Sequence, residues 1–356
     1  MLTRSAARIP TLLVASLTAA CALTSCAPNV SQLQSTTDQD LKQAKYQDAQ
    51  QQLESAVKSL DETRQPADAA AALAMLAKVE KQEGKIADAE KHLKHARELQ
   101  EKVLAPGLLA MARTLNGLGG VYTEQGKYSE AESVLQQALQ MREENLPVGS
   151  AEIAESDNSL ALLYFESAHY AQAEPLFKDA LSIYEKKLGA DTPEAANVRN
   201  NLGALYLDEG KFDQAEPYLT WSRDYCEKNL GAQHPDLANC LNNLGEMYRN
   251  QGKYQDAIAA YTRAQSIYEK AVGPDDPRVA TTANNLALTY AAQKKYADAE
   301  PLYKRAMEID KKVFDKDDPA LAHTMMNYAA LLHDMGRSSE AEEMAHQARA
   351  ILSKQT

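Results

Sequence analysis

The sequence from Gly231 to Gly273 reads GAQHPDLANCLNNLGEMYRNQGKYQDAIAAYTRAQSIYEKAVG. Its apolar residues recur at helical spacing on both sides of Gly252-Lys253-Tyr254, a glycine-containing segment typical of a turn. The stretch therefore predicts two amphipathic helices joined by a tight turn. The same turn recurs every 42 residues, with anchor positions at 84, 126, 168, 210, 252, 294 and 336. A fixed period of this length is typical of a stacked repeat protein.

Small residues occupy fixed columns of this repeat. Five residues after each anchor stands an alanine: Ala89, Ala131, Ala173, Ala215, Ala257, Ala299 and Ala341. Seven residues before each anchor stands an alanine or a glycine: Ala77, Gly119, Ala161, Gly203, Gly245, Ala287 and Ala329. Because a small side chain lets two helix backbones approach closely, these columns predict close packing within each helix pair. The leucines and tyrosines between them are then core residues.

Helix boundaries follow the same period. Glycines stand where second helices should end in a left-handed conformation: Gly189, Gly231 and Gly273. Prolines stand where first helices should begin, each after a residue that can cap the helix; the pairs are Thr192-Pro193, His234-Pro235, Asp276-Pro277 and Asp318-Pro319. Local signals and the long-range period thus agree, which favours a single well-defined fold.

The pattern predicts an all-α fold, an α-solenoid of antiparallel helix pairs with about seven full repeats and an N-terminal partial repeat. The array spans residues 65–356. Residues 40–64 are predicted to form an imperfect N-terminal capping helix, because the turn beside Tyr46-Gln47-Asp48-Ala49 lies two residues out of register. Residues 26–39 are polar without a periodic pattern and predict a flexible tether.

Residues 1–25 have the pattern of an export signal. Two arginines precede an apolar run, Ile9 to Leu23, which is too short to span a membrane comfortably. The run leads into Leu23-Thr24-Ser25-Cys26, which resembles the bacterial lipobox, where the cysteine is acylated and becomes the first residue of the mature chain. Cys26 is therefore the predicted lipidation site, and several acyl chains would anchor the protein durably. An ordinary secretory signal with a chance cysteine is the alternative.

The expected location follows from the residue after that cysteine. By resemblance to enterobacterial lipoproteins, Ala27 favours the outer membrane, with the protein facing the periplasm. The alternatives are the cell surface or secretion.

Composition excludes several function classes. The formal net charge is −12, whereas a nucleic-acid-binding protein needs a basic face. Four cysteines without a CxxC pair do not form a zinc site or a disulfide framework. The sequence holds no glycine-rich phosphate loop, metal-ligand cluster or nucleophile elbow. We therefore expect no enzymatic activity, no cofactor and no small-molecule substrate.

The repeat resembles the tetratricopeptide repeat (TPR), in the 42-residue form of kinesin light chains and their bacterial relatives. The resemblance rests on HPDLANCLNNLGEMY, on GKYQDA and on IYEK in the quoted stretch, and it covers roughly residues 66–354. It implies a right-handed superhelix whose first helices line a concave groove that binds peptide segments. Kinesin binding is not implied, since an exported bacterial protein does not meet that motor.

Two adjacent columns of the first helices carry asparagine, and matching positions in the family clamp the backbone of a bound peptide. They are Asn116, Asn158, Asn200, Asn242 and Asn284, with Asn201, Asn243, Asn285 and Asn327 beside them. A carboxamide offers both a donor and an acceptor, the complement of a peptide group. Common descent of the repeats, or bonding between neighbouring helices, are the alternatives. Arg249 lies in another groove-facing column, and with so few cations there a neutral or modestly basic extended ligand fits better than a carboxylate.

Three further features have structural and functional interpretations. Trp221 stands in a usually polar column and is either a partner contact or packed against the neighbouring helix. Cys226 and Cys240 flank a short loop and could form a disulfide in an exported protein. His92 and His95 share a helix face, but no third metal ligand is evident, so no metal site is predicted.

The sequence therefore favours a membrane-anchored scaffold that binds peptide segments or partner proteins in its groove. A structural component of an envelope secretion, pilus or barrel-assembly machine, acting through its ends or convex face, is the alternative.

Overall fold

The computed structural model of the 356-residue chain describes residues 29–103, 107–313 and 318–353. These residues form sixteen α-helices and no strand. The helices are α1 Val30–Lys42, α2 Tyr46–Ser59, α3 Pro66–Gln82, α4 Ile86–Glu101, α5 Leu108–Glu124, α6 Tyr128–Asn145, α7 Ala151–Glu166, α8 Tyr170–Lys187, α9 Pro193–Asp208, α10 Phe212–Asn229, α11 Pro235–Asn250, α12 Tyr254–Ala271, α13 Pro277–Ala292, α14 Tyr296–Val313, α15 Pro319–Asp334 and α16 Ser338–Leu352. The predicted all-α solenoid of antiparallel helix pairs is confirmed.

The turn inside each pair requires one residue in the left-handed backbone region. All seven predicted anchors adopt it, with φ between 60° and 79°. Five anchors are glycine, which reaches this region without a steric penalty. Ala168 and Lys294 occupy it at the other two. The 42-residue spacing of the anchors is thus the spacing of the tight turns.

Close packing within each pair depends on the predicted small columns. The seven alanines that follow the anchors are all buried, six of them completely. A Cβ added to Gly203 would lie 2.5 Å from Leu219 Cδ2, and one added to Gly245 would lie 2.8 Å from the Tyr261 ring. Such distances are below van der Waals contact, so only glycine lets these helices meet.

The predicted helix ends are also present. Gly189, Gly231 and Gly273 have φ near 100° at the ends of second helices. The Thr192 hydroxyl accepts a hydrogen bond from the Ala195 amide (3.3 Å). His234 Nδ1, Asp276 Oδ1 and Asp318 Oδ1 likewise accept backbone amide bonds at the starts of α11, α13 and α15. Each cap satisfies one otherwise unpaired N–H of the first turn.

The odd-numbered helices line the inner curve of the solenoid. Each helix packs on the next in the chain, and each odd helix also contacts the odd helix two positions further along. Among the described residues, no even-numbered helix contacts another even-numbered one. First helices are therefore closer together than second helices, which places the concave surface on α3, α5, α7, α9, α11, α13 and α15. The packing contacts between neighbouring helices recur with the 42-residue repeat, and we call them the periodic contacts.

The N-terminal end differs from the expected tether and single capping helix. Residues 30–42 form α1, which pairs with α2 across a turn at Ala44 (φ 53°), two residues out of register as the sequence indicates. Asn29 caps α1 by accepting from the Ser31 and Gln32 amides (3.1 and 3.3 Å). Its Leu33 packs against the buried clusters of α2 and α3. The sequence of α1 is mostly polar and has too few apolar residues for their helical period to be recognised.

Residues 1–25, the predicted export signal, and Cys26, the predicted lipidation site, lie outside the described residues. Among the helices that the structure describes, none combines the length and the apolar character needed to cross a membrane.

Candidate functional site

The two asparagine columns meet on the inner surface. Four bonds join successive odd helices, each from Nδ2 of the second column to Oδ1 of the first: Asn201 to Asn158 (3.3 Å), Asn243 to Asn200 (3.1 Å), Asn285 to Asn242 (3.3 Å) and Asn327 to Asn284 (3.0 Å). We call this series the asparagine ladder. It runs from α7 to α15, and bonding between neighbouring helices is therefore one of its roles.

The ladder still leaves hydrogen-bonding groups free. Nδ2 of Asn200 and Oδ1 of Asn243 have no partner within the described part of the chain, and the same holds for Nδ2 of Asn158 and Oδ1 of Asn201. In the other two pairs, Asn284 Nδ2 donates to Asn285 Oδ1 (3.5 Å). All ladder side chains are partly exposed. We call each bonded pair of asparagines a rung of the ladder. Because a carboxamide has two N–H groups and two lone pairs, each rung keeps donors and acceptors for a further polar group. A peptide backbone is such a group.

Asn116 begins the first column but differs from the ladder. Its Nδ2 donates to Ser159 Oγ at 3.0 Å rather than to an asparagine. Its side chain is buried, and its Oδ1 has no partner among the described residues. Asn116 therefore acts as a helix–helix contact and is not accessible as a rung.

Exposed residues one turn before the ladder form the floor of the inner surface. They are Arg113, Glu155, Asn197, Asn239, Thr281 and His323. The one arginine and the one carboxylate of this row, Arg113 and Glu155, stand on successive odd helices, and Glu155 also pairs with Arg142 Nη2 (2.8 Å). The surface therefore offers polar, nearly neutral contacts rather than a concentrated charge.

Arg249 is only partly available to a ligand. Its Nη2 donates to Glu246 Oε1 (2.9 Å), and its buried Nε has no partner within the described chain. Burial raises the pKa of Tyr261, as does the nearby charge of Glu246. The guanidinium is thus tied to Glu246 on its own helix.

Cys226 and Cys240 come together beneath the inner surface. Their Sγ atoms are 4.0 Å apart, and both side chains are buried as free thiols. They line a small cavity of about 30 Å³ together with Asn197, Asn200 and Asn239. Its volume is sufficient for an ordered water. The hydrogen bond with Cys226 and burial both raise the pKa of Cys240.

The cysteine pair occupies a junction that recurs between successive helix pairs. Residues 14 apart meet there, and Arg142 Nη1 donates to Ser156 Oγ (2.8 Å) at the equivalent place. Thr324 Oγ1 donates to Asp310 Oδ2 (2.9 Å) in a third copy. The sequence reasoning missed these polar pairs, although their fixed offset of 16 residues from the anchors could have shown the column.

Trp221 is held by neighbours. Its ring stacks on Tyr225 with centroids 5.5 Å apart, and the Arg199 guanidinium carbon lies 3.6 Å from the ring centroid. Arg199 also donates to Glu185 Oε1. These contacts favour the packing interpretation of Trp221.

His92 and His95 pair with different carboxylates. His92 Nδ1 lies 2.8 Å from Glu80 Oε2, and His95 Nε2 lies 3.2 Å from Glu62 Oε2. Within the described ranges, no group of three potential ligands is arranged to hold a metal ion. The two histidines instead join α4 to α3 and to the loop between α2 and α3.

The match to a known protein family coincides with the helix pairs. The tetratricopeptide repeat model matches residues 68–144, 152–228, 222–270 and 278–354, most of the chain. The chain belongs to the tetratricopeptide repeat family. It therefore has the architecture of a protein-interaction scaffold. Curated protein sequences include no match to this TPR protein.

Several solved structures show the same fold at low sequence identity. A Rap protein complexed with competence and sporulation factor is 15% identical, with a TM-score of 0.65 over 91% of this chain and 98% of that one. Aspartyl phosphate phosphatase F from Bacillus subtilis is 11% identical, with a TM-score of 0.58 over 92% and 94%. The apo quorum sensor NprR from B. thuringiensis is 15% identical, with a TM-score of 0.53 over 91% and 98%.

A structure described as a putative kinesin light chain from Podosopora anserina also matches this TPR protein. It is 19% identical over 70% of this chain and 98% of that one, with a TM-score of 0.30.

Proposed function

We propose that this TPR protein is a non-enzymatic scaffold that binds extended peptide segments on its inner surface, in the bacterial cell envelope. The observation that carries the proposal is the asparagine ladder. Its rungs bond to one another and still present free donors and acceptors along five successive odd helices. An extended peptide leaves its backbone N–H and C=O groups unpaired, so it gains bonds on such a surface.

The charge of the inner surface indicates which segments it accepts. The exposed floor residues are mostly uncharged, while the whole chain carries a net charge of −12. A strongly acidic ligand is therefore repelled, and a neutral or modestly basic segment is favoured. The similar Rap structure, which contains competence and sporulation factor, supports a ligand-binding role for this type of array.

The N-terminal sequence supports the proposed location. Cys26 would carry the acyl chains, with the outer membrane as the destination and the array in the periplasm. Residues 27–29 would then separate the acylated cysteine from α1.

Site-specific photocrosslinking in cells tests the peptide-binding role. A photoreactive residue at Thr281, exposed on α13, should capture partner polypeptides through short extended stretches, identified by mass spectrometry. The matched control is Ser266, exposed on the outer helix α12. The double change Asn200→Ala/Asn243→Ala should lower capture at Thr281 at least tenfold, whereas Asn250→Ala, an exposed asparagine outside the ladder, should not. Contacts confined to Trp221 or α16 would instead favour the assembly role.

The anchor has a separate test. Cys26→Ser should move the protein from the membrane fraction to the soluble fraction, because acylation requires the thiol. Cys21→Ser, within the same apolar run, is the control and should leave fractionation unchanged. Unchanged membrane association of Cys26→Ser would refute acylation at this residue.

A further inference from the structure

A hydrogen bond joins two parts of the chain 196 residues apart. Arg278 Nη2, in the first turn of α13, donates to the carbonyl oxygen of Gln82 at 3.0 Å. Gln82 ends α3, where carbonyl groups lack intrahelical partners and a cation is favoured. Asp276 holds the guanidinium in place through two bonds of 2.8 and 2.9 Å. The ring of Tyr268 lies 5.6 Å from it.

Apolar contact accompanies this bond. Val272, at the end of α12, packs against the buried cluster of Tyr46, Ala49 and Leu53 on α2, and also against the core of α11 to α13. Tyr46 is 6% exposed. Its pKa is raised to about 12 by burial first, and then by the negative charge of Asp236 on α11. We call Tyr46, Gln82, Val272, Asp276 and Arg278 the closing contact.

The closing contact joins the two ends of one turn of the solenoid, and we call this closed turn the ring. Every helix from α2 to α13 packs on the next one in sequence, so these helices form an unbroken path. The closing contact joins the two ends of that path. The odd helices line its inner side, so their exposed surface faces the interior of the ring. Helices α14 to α16 continue beyond the point of closure.

The contact is local. Beside it, the segment 44–48 with Glu83 and Lys85 faces Lys270 to Gly273 across an open cavity of about 590 Å³. No helix of the first two pairs packs directly along a helix from α11 onward within the described chain. One hydrogen bond and one small apolar cluster therefore hold the ring shut, and both can break without unfolding the helices.

We propose that the closing contact restricts the inner surface to extended polypeptide segments, which enter by a free end or after Arg278 has left Gln82. A folded domain cannot reach the ladder residues of α7 to α13 from the side while the ring is closed, whereas Asn327 on α15 lies beyond the closure. The inference rests on the proposed peptide-binding function, because it specifies the class of partner for that same surface.

Chemical access to the inner surface tests the ring without any ligand. Arg113, exposed on α5, and Ser133, exposed on α6, have no hydrogen bond or ion pair within the described chain and are suited to replacement. Arg113→Cys and Ser133→Cys are each treated with iodoacetamide and with a maleimide coupled to a folded protein of about 20 kDa. Both cysteines should react with iodoacetamide. The protein-linked maleimide should modify Arg113→Cys at least tenfold more slowly than Ser133→Cys.

Opening the closing contact should remove this difference. Arg278→Ala in the Arg113→Cys background should raise the rate with the protein-linked maleimide at least fivefold, with unchanged far-ultraviolet circular dichroism. Arg263→Ala is the matched control, because Arg263 makes only a surface ion pair with Glu227 (2.7 Å). If Arg278→Ala loses helical content, Val272→Ser serves as the second opening variant. Equal rates at positions 113 and 133 in the unopened protein would overturn the closed ring and leave peptide binding untouched.

Discussion

The periodic contacts and the closing contact stabilise different properties of this molecule. A periodic contact such as Gly203 against Leu219 involves neighbours in sequence, and its equivalents are Gly119 against Leu135 and Gly245 against Tyr261. The closing contact occurs once and joins residues almost 200 positions apart. In a repeat protein, stability is approximately the sum of repeat and nearest-neighbour terms. The periodic contacts therefore set the free energy of unfolding, while the closing contact sets the shape and the accessibility of the inner surface.

The strongest test of this comparison removes one periodic contact. Leu219 is fully buried opposite Gly203, so Leu219→Ala should cost about 2–5 kcal/mol of unfolding free energy through the cavity it leaves. Arg278→Ala should cost less, about 1–2 kcal/mol, since it removes bonds near the surface. Urea unfolding followed by circular dichroism measures both.

Two further variants make the test of Leu219 specific. Leu188→Ala removes an exposed leucine and should change stability by less than about 0.5 kcal/mol. Gly203→Ala/Leu219→Ala should be more stable than the sum of its single changes, because the added methyl group fills part of the cavity. If the changes in unfolding free energy of the two single variants simply add, the direct contact between Gly203 and Leu219 is contradicted.

Oxidation would reinforce one periodic junction. With glutathione disulfide, Cys226 and Cys240 should each lose a hydrogen and form an intramolecular disulfide, releasing two glutathione molecules. Closing this loop should raise the unfolding free energy by about 3 kcal/mol. Mass spectrometry and thermal melting measure the product and its stability, and Cys240→Ser should show neither change. The raised pKa of Cys240 disfavours its thiolate, so the reaction should be slow. Thiols that persist after prolonged oxidation would rule out the pairing.

Asp157 is a carboxyl residue at a periodic position that holds leucine in two other repeats. It is buried on α7 in a column that holds leucine at 115 and 241, and it has no hydrogen-bond partner in the described part of the chain. Burial, followed by the nearby charges of Asp179 and Glu143, raises its pKa to about 6. The folded state therefore favours the protonated form.

The raised pKa of Asp157 makes the unfolding free energy depend on pH. A carboxyl whose pKa is raised on folding contributes stability that is fully present below pH ~4 and is lost as the pH rises through about 6. Asp157→Asn should remove this loss and raise the unfolding free energy at pH ~7.5 by about 3 kcal/mol relative to wild type. The exposed Asp213→Asn is the control. Parallel pH profiles for wild type and Asp157→Asn, measured by urea unfolding, would contradict a buried charged carboxylate.

The repeat period was sufficient to predict most of the fold. Turn anchors, caps and small columns are all decided by chemistry within one repeat, such as the left-handed backbone at Gly252 or the space required beside Tyr261. Neighbours in a solenoid are neighbours in sequence, so these local rules also place successive helices. Helix α1 was missed because its burial depends on the few residues that face α2 and α3.

By itself, the sequence determined the helix pairs, their turns and the columns in which asparagines and cysteines fall. Only the tertiary structure decided that the asparagines bond to one another and that the end of α3 meets the start of α13. The physical reason is geometric. Curvature is the sum of small rotations at each repeat, and no single repeat carries a signal for the total. Whether the chain returns to its own beginning is therefore a property of the whole array.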